Sequence, residues 1–151
     1  MQYAERLVLD ANILIRAVLG KRVRSLLCQY GARVRFFAPE SAFAEARKHL
    51  PAILSRRNIP AAEGLAVLDS LYEIVQAVSR DAYCTFEAAA RQRLAGRDLE
   101  DWPVLATALT LQCPIWTEDT DFFGTGIATW KTDRVELFLQ QAEGSQGYAT
   151  Q

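Results

Sequence analysis

Five carboxylates stand where an α/β protein gathers ligand-binding groups. Asp10 closes the apolar run RLVLD, Asp101 opens DWPVLATALTL, and Asp119 and Asp121 follow CPIWT. Glu45 lies in SAFAEARKHL, where its small and apolar neighbours indicate a buried acid. Ligands of open α/β sheets bind beside the carboxyl ends of strands, so we expect these side chains to converge. Carboxylates about 4 Å apart repel by about 4 kcal/mol near a protein surface, and a divalent cation removes that repulsion. The pattern predicts a metal site.

The residue types favour a hard cation that acts on a phosphate ester. Carboxylate oxygens suit Mg²⁺ or Mn²⁺, and no cluster of cysteines or histidines competes for a softer metal. An ion held in this way lowers the pKa of a bound water and polarises a scissile phosphate. The chain has no Gly-rich phosphate loop, no GxSxG motif and a single histidine, His49. A covalent nucleophile is therefore not indicated.

Alternating apolar runs and helical patterns predict the elements that position these acids. Five short runs rich in apolar residues are typical of strands. These are RLVLD, VRFFAP, EIVQAV, CPIWT and IATW. Amphipathic segments between them predict helices, with Ser41 and Asp81 as N-caps and with Pro51 and Pro60 as breaks. The alternation favours an α/β fold, a central parallel sheet covered by helices.

Length and composition indicate one soluble domain. The chain has 151 residues, of which 50% are apolar and 23% charged, and its apolar runs are too short to span a membrane. We expect a single domain over residues 1–142 and a polar, frayed tail over residues 143–151. Cys28, Cys84 and Cys113 are odd in number and lack a CxxC pair, so we expect buried thiols. Because no signal peptide is evident either, the expected location is the cytoplasm.

The distribution of charge is more informative than its sum. The net charge is −1, which does not by itself indicate nucleic-acid binding. Basic residues nevertheless gather at residues 21–24, 33–35, 47–48 and 56–57. Such patches beside an acidic cavity can hold a phosphate backbone, and solvated helix faces are the alternative. We take Lys48, Arg56 and Arg57 as candidate substrate contacts and expect specificity to depend on loops around residues 20–24 and 56–60. His49 is either a helix-end partner or a phosphate contact.

Four motifs in order resemble those of the PIN-domain nucleases, in particular the VapC-type toxins of toxin-antitoxin pairs. They are VLDANIL, FAEARKHL, RDLEDWPVLATAL and IWTEDTDFFG, and the resemblance extends over roughly residues 6–140. It implies a single PIN-like domain folded as an α/β/α sandwich. It also implies hydrolysis of RNA phosphodiester bonds, with a 5′-phosphate and a 3′-hydroxyl as products, a cognate antitoxin and a homodimer.

The resemblance assigns roles to individual residues. It implies that Mg²⁺ or Mn²⁺ is bound by four catalytic acids, assisted by a fifth, Asp121. The four are Asp10, Glu45, Asp101 and Asp119. Asn12 and Thr117 match supporting polar positions. Asp98, three residues before Asp101, is a rival for the same role.

Three other functions remain open on the sequence alone. The first is a housekeeping RNA-processing nuclease of the same fold, and the second is a module that binds RNA or protein without cutting. The third is a phosphatase or receiver-like domain. Against the third, Asn12 stands where a phosphatase of the haloacid-dehalogenase type has a second aspartate. A receiver domain needs a phospho-acceptor aspartate after a middle strand, and EIVQAVSRD offers only the late, displaced Asp81.

Overall fold

The protein is built on a five-stranded sheet in which every pair of neighbouring strands is parallel. A computed structural model describes residues 5–149, with side chains described through residue 142. The strand order is β3-β2-β1-β4-β5. The strands are β1 (Glu5–Leu9), β2 (Val34–Pro39), β3 (Val75–Val78), β4 (Ile115–Trp116) and β5 (Thr129–Trp130). The predicted α/β fold with a central parallel sheet is confirmed.

Helices connect the strands and cover both faces of the sheet. They are α1 (Ala11–Leu19), α2 (Arg22–Tyr30), α3 (Glu40–Arg56), α4 (Ala61–Ser70), α5 (Arg80–Tyr83), α6 (Glu87–Arg93), α7 (Trp102–Leu111) and α8 (Val135–Ala149). The backbone of α8 continues past residue 142, where we expected the domain to end. Residues 150 and 151 lie outside the described part, and the boundary at residue 142 stays a prediction. None of the helices within residues 5–149 has the length and apolarity needed to cross a membrane.

Side chains that point alternately to the two faces of β1 and β2 divide the core into two layers. Leu7, Leu9 and Phe36 belong to a cluster formed with α1–α4 and α8. Val8 and Phe37 belong to a second cluster, formed with α5–α7. Successive residues of a strand point to opposite faces, so apolar runs on both faces require helices on both sides. This packing is the α/β/α sandwich.

Several local predictions are wrong. Helix α3 begins at Glu40, so Ser41 lies in its first turn, and the extended residue Pro39 precedes it. Pro51 lies inside α3 because burial of Phe43, Leu50 and other side chains outweighs the local cost of proline, about 3 kcal/mol. Asp81 likewise lies within α5 and is not its cap.

The cysteines also depart from expectation. Cys28 and Cys84 are exposed, whereas Cys113 is buried, and burial raises the pKa of its thiol to about 12. The expectation of buried thiols holds only for Cys113. Cys28 is exposed because it lies on the outer side of the amphipathic helix α2, whose buried residues include Leu26 and Leu27.

Candidate metal centre

The centre of the site is set by the pairing of β1 with β4. Asp10 follows β1 directly and Thr117 follows β4 directly. The Asp10 amide donates to the carbonyl of Trp116 at 3.1 Å, which continues the ladder one residue past the strands. Two polar side chains from distant parts of the sequence are thereby placed side by side at the carboxyl edge of the sheet, as expected for a ligand site.

The buried carboxylate of Asp10 is fixed by three hydrogen bonds. Its Oδ1 accepts from the Ala11 amide at 2.7 Å, which caps α1. Its Oδ2 accepts from the Thr117 hydroxyl at 2.8 Å and from Asn12 Nδ2 at 3.1 Å. A carboxylate accepts about four hydrogen bonds, so Oδ1 keeps one lone pair for a further ligand.

Thr117 connects Asp10 to the loop that carries Asp119. Its hydroxyl, fully buried, accepts from the Asp119 amide at 2.9 Å and from Asn12 Nδ2 at 3.3 Å. With the bond donated to Asp10, the hydroxyl uses its one donor and both acceptor positions. Asp119 Oδ1 in turn accepts from the Asp121 amide at 2.9 Å. The two acids are therefore held in one hydrogen-bonded network.

The packing of Trp102 holds Asp101 in place. Trp102 is buried at the start of α7, and Tyr83 meets its ring edge-on with centroids 5.5 Å apart. The guanidinium groups of Arg80 and Arg91 lie 5.2 Å from the ring centroid. Asp101 occupies the N-cap position of α7, but its side chain makes no capping hydrogen bond to that helix. The carboxylate of Asp101 can therefore face those of Asp10 and Asp119.

Three carboxylates converge at this point. Each of Asp10, Asp101 and Asp119 offers an oxygen, and these oxygens lie within 4.8 Å of one another. Asp101 Oδ2 is buried without a hydrogen-bond partner in the described part of the chain. A buried polar atom that lacks a partner costs about 1–3 kcal/mol, so such an atom calls for a ligand.

Burial and mutual repulsion destabilise the charged carboxylates of the metal-free cluster. Burial raises the pKa of Asp10 to about 6, against the hydrogen bond from Thr117, and the negative charges of Glu45 and Asp119 add to the rise. Burial together with the charges of Asp10 and Asp119 raises the pKa of Asp101 to about 8. Both effects disfavour the charged carboxylates, and a cation among these oxygens reverses both.

The cluster opens into a cavity of about 370 Å³ that collects further predicted residues. Glu45, Lys48 and His49 of α3 line this cavity, as do Asp10 and Asp101. Glu45 is exposed, so the expectation of a buried acid is wrong. Its small neighbours Ala42 and Ala46 occupy the buried side of α3 instead. Glu45 thus belongs to the wall of the cavity rather than to the group of three carboxylates.

Asp98 and Asp121 lie outside the group of three. The exposed carboxylate of Asp98 accepts from the Glu100 amide at 3.0 Å and caps a short 3₁₀ turn. The structure therefore places Asp101, and not Asp98, beside Asp10. Asp121 contributes its backbone amide to Asp119.

A second cavity, of about 380 Å³, is lined by basic residues. The cations on its wall are Arg16, Lys21, Arg22 and Arg57. Of the candidate substrate contacts, Arg57 therefore lines this second cavity and Lys48 the first. Arg56 lines neither and donates to the Ala52 carbonyl of its own helix at 3.4 Å.

Sequence reasoning missed residues that support the site from outside. Glu118 Oε1 accepts from the Thr132 amide at 2.8 Å, and the Glu118 amide donates to Asn12 Oδ1 at 3.2 Å. Burial alone would raise the pKa of Glu118, but hydrogen bonds with Thr132 and the charge of Arg16 outweigh it and lower that pKa. The only signal for Glu118 in the sequence is its place between Thr117 and Asp119.

Arg97 supports the loop after Asp119. Its Nη1 donates to the carbonyls of Asp121, at 2.9 Å, and of Phe123. Next to these carbonyls, Gly124 has φ +84°, a conformation that favours glycine, and a Cβ there would lie 3.0 Å from Arg97 Nη2. Because the acceptors are backbone carbonyls, the sequence contains no side-chain motif that predicts this contact.

The fold and the carboxylate cluster define the class of this protein. Its sequence matches the family model of the PIN domain over residues 8–140, so the chain belongs to the PIN-domain family and is a PIN nuclease. No curated protein is significantly similar to the chain in sequence.

Solved structures share this architecture. The chain is similar to VapBC2 from Rickettsia felis, solved bound to a DNA fragment from its promoter, with 14% identity and a TM-score of 0.65 over 83% of this chain and 98% of that one. It is similar to PAE2754 from Pyrobaculum aerophilum, with 15% identity and a TM-score of 0.66 over 93% of this chain and 90% of that one. It is also similar to FitAcB from Neisseria gonorrhoeae, with 19% identity and a TM-score of 0.61 over 83% of this chain and 97% of that one. At these identities the likeness is one of fold.

Proposed function

We propose that this chain is a metal-dependent endoribonuclease that uses Mg²⁺ or Mn²⁺, and that it is the toxin of a type II toxin-antitoxin pair. The convergence of Asp10, Asp101 and Asp119 within 4.8 Å, with one buried oxygen lacking a partner, is the observation that carries the proposal. Family membership supports nuclease activity.

The donors of the cluster fit a hard divalent ion. They are carboxylate oxygens, the ligands that Mg²⁺ and Mn²⁺ prefer. The free lone pair on Asp10 Oδ1 and the unpartnered Asp101 Oδ2 are ready acceptors of a cation. Asp10, Asp101 and Asp119 would hold the ion. Glu45 adds a fourth carboxylate from the cavity wall, and Asp121 assists through the hydrogen bond that its backbone amide donates to Asp119.

The roles of the surrounding residues follow from their contacts. When bound, the ion supplies an activated water and polarises the scissile phosphate. Asn12 and Thr117 orient the carboxylate of Asp10, as groups behind metal ligands commonly do. Lys48 and His49 line the same cavity and offer hydrogen-bond donors to phosphate oxygens.

The toxin assignment has support at the level of the fold. The structure of VapBC2 from Rickettsia felis resembles this chain. We propose by analogy a cognate antitoxin, a homodimer and a cytoplasmic location. The phosphatase alternative loses support, because Asn12 is engaged with Asp10 and with the Glu118 amide.

Cleavage of end-labelled RNA tests the proposal. We expect the purified protein to cut single-stranded RNA with Mn²⁺, to leave 5′-phosphates and to lose activity in EDTA. Asp101→Asn should lower the rate by at least about 100-fold, because it removes charge from the ion site. Asp133→Asn, which alters an exposed aspartate outside both cavities, is the matched control. Equal activity of Asp101→Asn and wild type would contradict the proposed site, and cleavage of DNA alone would contradict the proposed substrate.

A separate experiment tests the role in the cell. Induced expression of the wild-type chain should arrest growth, whereas expression of Asp101→Asn should not. Co-expression of the adjacent reading frame should restore growth if that frame encodes the antitoxin. Undisturbed growth with an active nuclease would favour a housekeeping RNA-processing enzyme. Calorimetry that detects no Mn²⁺ binding at millimolar concentration would favour a non-catalytic binding module.

A further inference from the structure

The metal centre does not explain the concentration of basic residues around the second cavity, near the end of α1. Its wall combines residues of α1, of the start of α2, of the end of α3 and of the segment after β5. Four of the eight residues on this wall are cations and none is an acid. In a chain with a net charge of −1, this concentration of positive charge is local.

Only half of that charge is offset by neighbouring acids. Arg22 Nη2 lies 3.0 Å from Glu136 Oε1, and Arg16 Nη2 lies 3.9 Å from Glu118 Oε2. The ion pairs of the described residues include neither Lys21 nor Arg57. Two positive charges therefore remain on a concave wall, where they attract an anion more strongly than on a flat surface.

Helix α1 connects the two sites directly. Asp10 caps its first turn, whereas Arg16 and Leu19 near its other end line the basic cavity. At 1.5 Å per residue, the wall of this cavity lies about 9 to 15 Å from Asp10 along the helix axis. Glu118 lies between the sites, since it binds Asn12 through its amide and faces Arg16 through its carboxylate.

A nucleic-acid strand fits this separation. A strand of duplex DNA advances about 3.4 Å along the helix axis per nucleotide, so about 9 to 15 Å is the axial span of three or four nucleotides of a strand in that stacked form. A strand with one phosphate at the carboxylate cluster would thus present another to Lys21 and Arg57. We propose that the basic cavity binds the phosphate backbone of the RNA strand whose scissile bond lies at the metal centre. This inference rests on the proposed function.

Binding of a fluorescein-labelled single-stranded RNA in EDTA tests the inference apart from cleavage. In fluorescence polarisation, Lys21→Gln/Arg57→Gln should weaken binding about tenfold at low salt and reduce the slope of log K against log [salt] by about 1.4, or about 0.7 for each lost phosphate contact. Arg6→Gln/Arg134→Gln changes the net charge equally at cations outside both cavity walls and outside the four basic patches, and should bind as wild type does. With Mn²⁺, the cavity variant should raise KM far more than it lowers kcat.

The outcomes separate the two proposals. RNA binding that depends on the cavity, with no cleavage under any metal condition, would support the cavity and contradict the nuclease. Cleavage by wild type with binding and KM unchanged in the cavity variant would overturn the cavity proposal and point to an acidic segment of a partner protein as its ligand. Equal losses in both double variants would also overturn it, since the effect would then reflect net charge. Absence of RNA binding by the wild-type chain would overturn both.

Discussion

Replacing Asp101 with asparagine should stabilise the metal-free protein and abolish its stabilisation by Mn²⁺. The substitution keeps the size of the side chain and removes one of three converging charges. The new amide can donate to an oxygen of Asp10 or Asp119, which lie within 4.8 Å. A substitution that stabilises the fold but eliminates activity indicates a site whose charges repel one another and are retained because they bind a ligand.

The magnitude follows from Coulomb's law. Two unit charges 4.8 Å apart interact by about 3.5 kcal/mol at an effective dielectric constant of about 20. Asp101 is only half-buried, so solvent screens this repulsion, and we expect a net gain of about 2 kcal/mol at pH 9, where its carboxyl is ionised. For a chain of this length that gain corresponds to a rise in Tm of about 4 to 8 °C. Mn²⁺ at 100 times its Kd should add about 2.7 kcal/mol to the wild type, or about 5 to 11 °C, and nothing to the variant.

The effect should depend on pH with a definite sign. The carboxyl of Asp101 ionises near 3.8 when unfolded and near 8 in the metal-free fold, because burial and the charges of Asp10 and Asp119 raise its pKa. Between these values the folded protein holds a proton that the unfolded chain has released, so rising pH favours unfolding. The contribution of this group is full below pH 3.8 and is lost as the pH rises through about 8. The advantage of the variant should therefore be larger at pH 9 than at pH 5.

Differential scanning fluorimetry in EDTA and in Mn²⁺, at pH 5 and pH 9, measures these quantities. Asp133→Asn is the control, because it removes an exposed carboxylate outside the cluster. The reasoning is refuted if Asp101→Asn lowers the Tm of the metal-free protein at pH 9. It is also refuted if the gap between variant and wild type is the same at both pH values.

Three further predictions concern the residues around the cluster. Thr117→Val should lower the free energy of unfolding in urea by about 2 to 4 kcal/mol, because it leaves buried donors unpaired, whereas Thr117→Ser should retain most of the stability; equal losses would contradict the network. Asp98→Asn should weaken Mn²⁺ binding in calorimetry much less than Asp101→Asn, since Asp98 caps a turn outside the cluster, and the reverse order would reassign the ligand. Arg97→Met should reduce Mn²⁺ affinity about tenfold by releasing the carbonyl of Asp121 and its loop; an unchanged affinity would show that the loop holds its shape alone.

Much of the fold could be predicted because its determinants are local. Runs such as RLVLD and VRFFAP are apolar on both faces of a strand, which only a sheet covered on both sides can satisfy. Asp10 was recognisable because it follows such a run directly, and Asp119 because it comes shortly after the apolar run that ends at Trp116. The helix caps were less certain, because the packing of a whole helix decides where it begins, as at Ser41.

The remaining parts of the site depend on contacts between distant segments. The apolar register of DWPVLATA favours Asp101 over Asp98, but the packing of Trp102 decides which of the two side chains faces Asp10. The exposure of Glu45 depends on which side of α3 meets the sheet, which its immediate neighbours do not reveal. The basic cavity combines residues from four segments, among them Arg57 and Thr132, and no single motif contains it.

The bond between Thr117 and Asp10 also determines when activity can arise. These residues are separated by 107 positions in the sequence, and the bond forms only after β4 has joined the sheet beside β1. Closing so large a loop is among the slow, late events of folding. A nascent or partly folded chain thus lacks the carboxylate cluster altogether. The order of assembly therefore delays formation of the carboxylate cluster until the domain is complete.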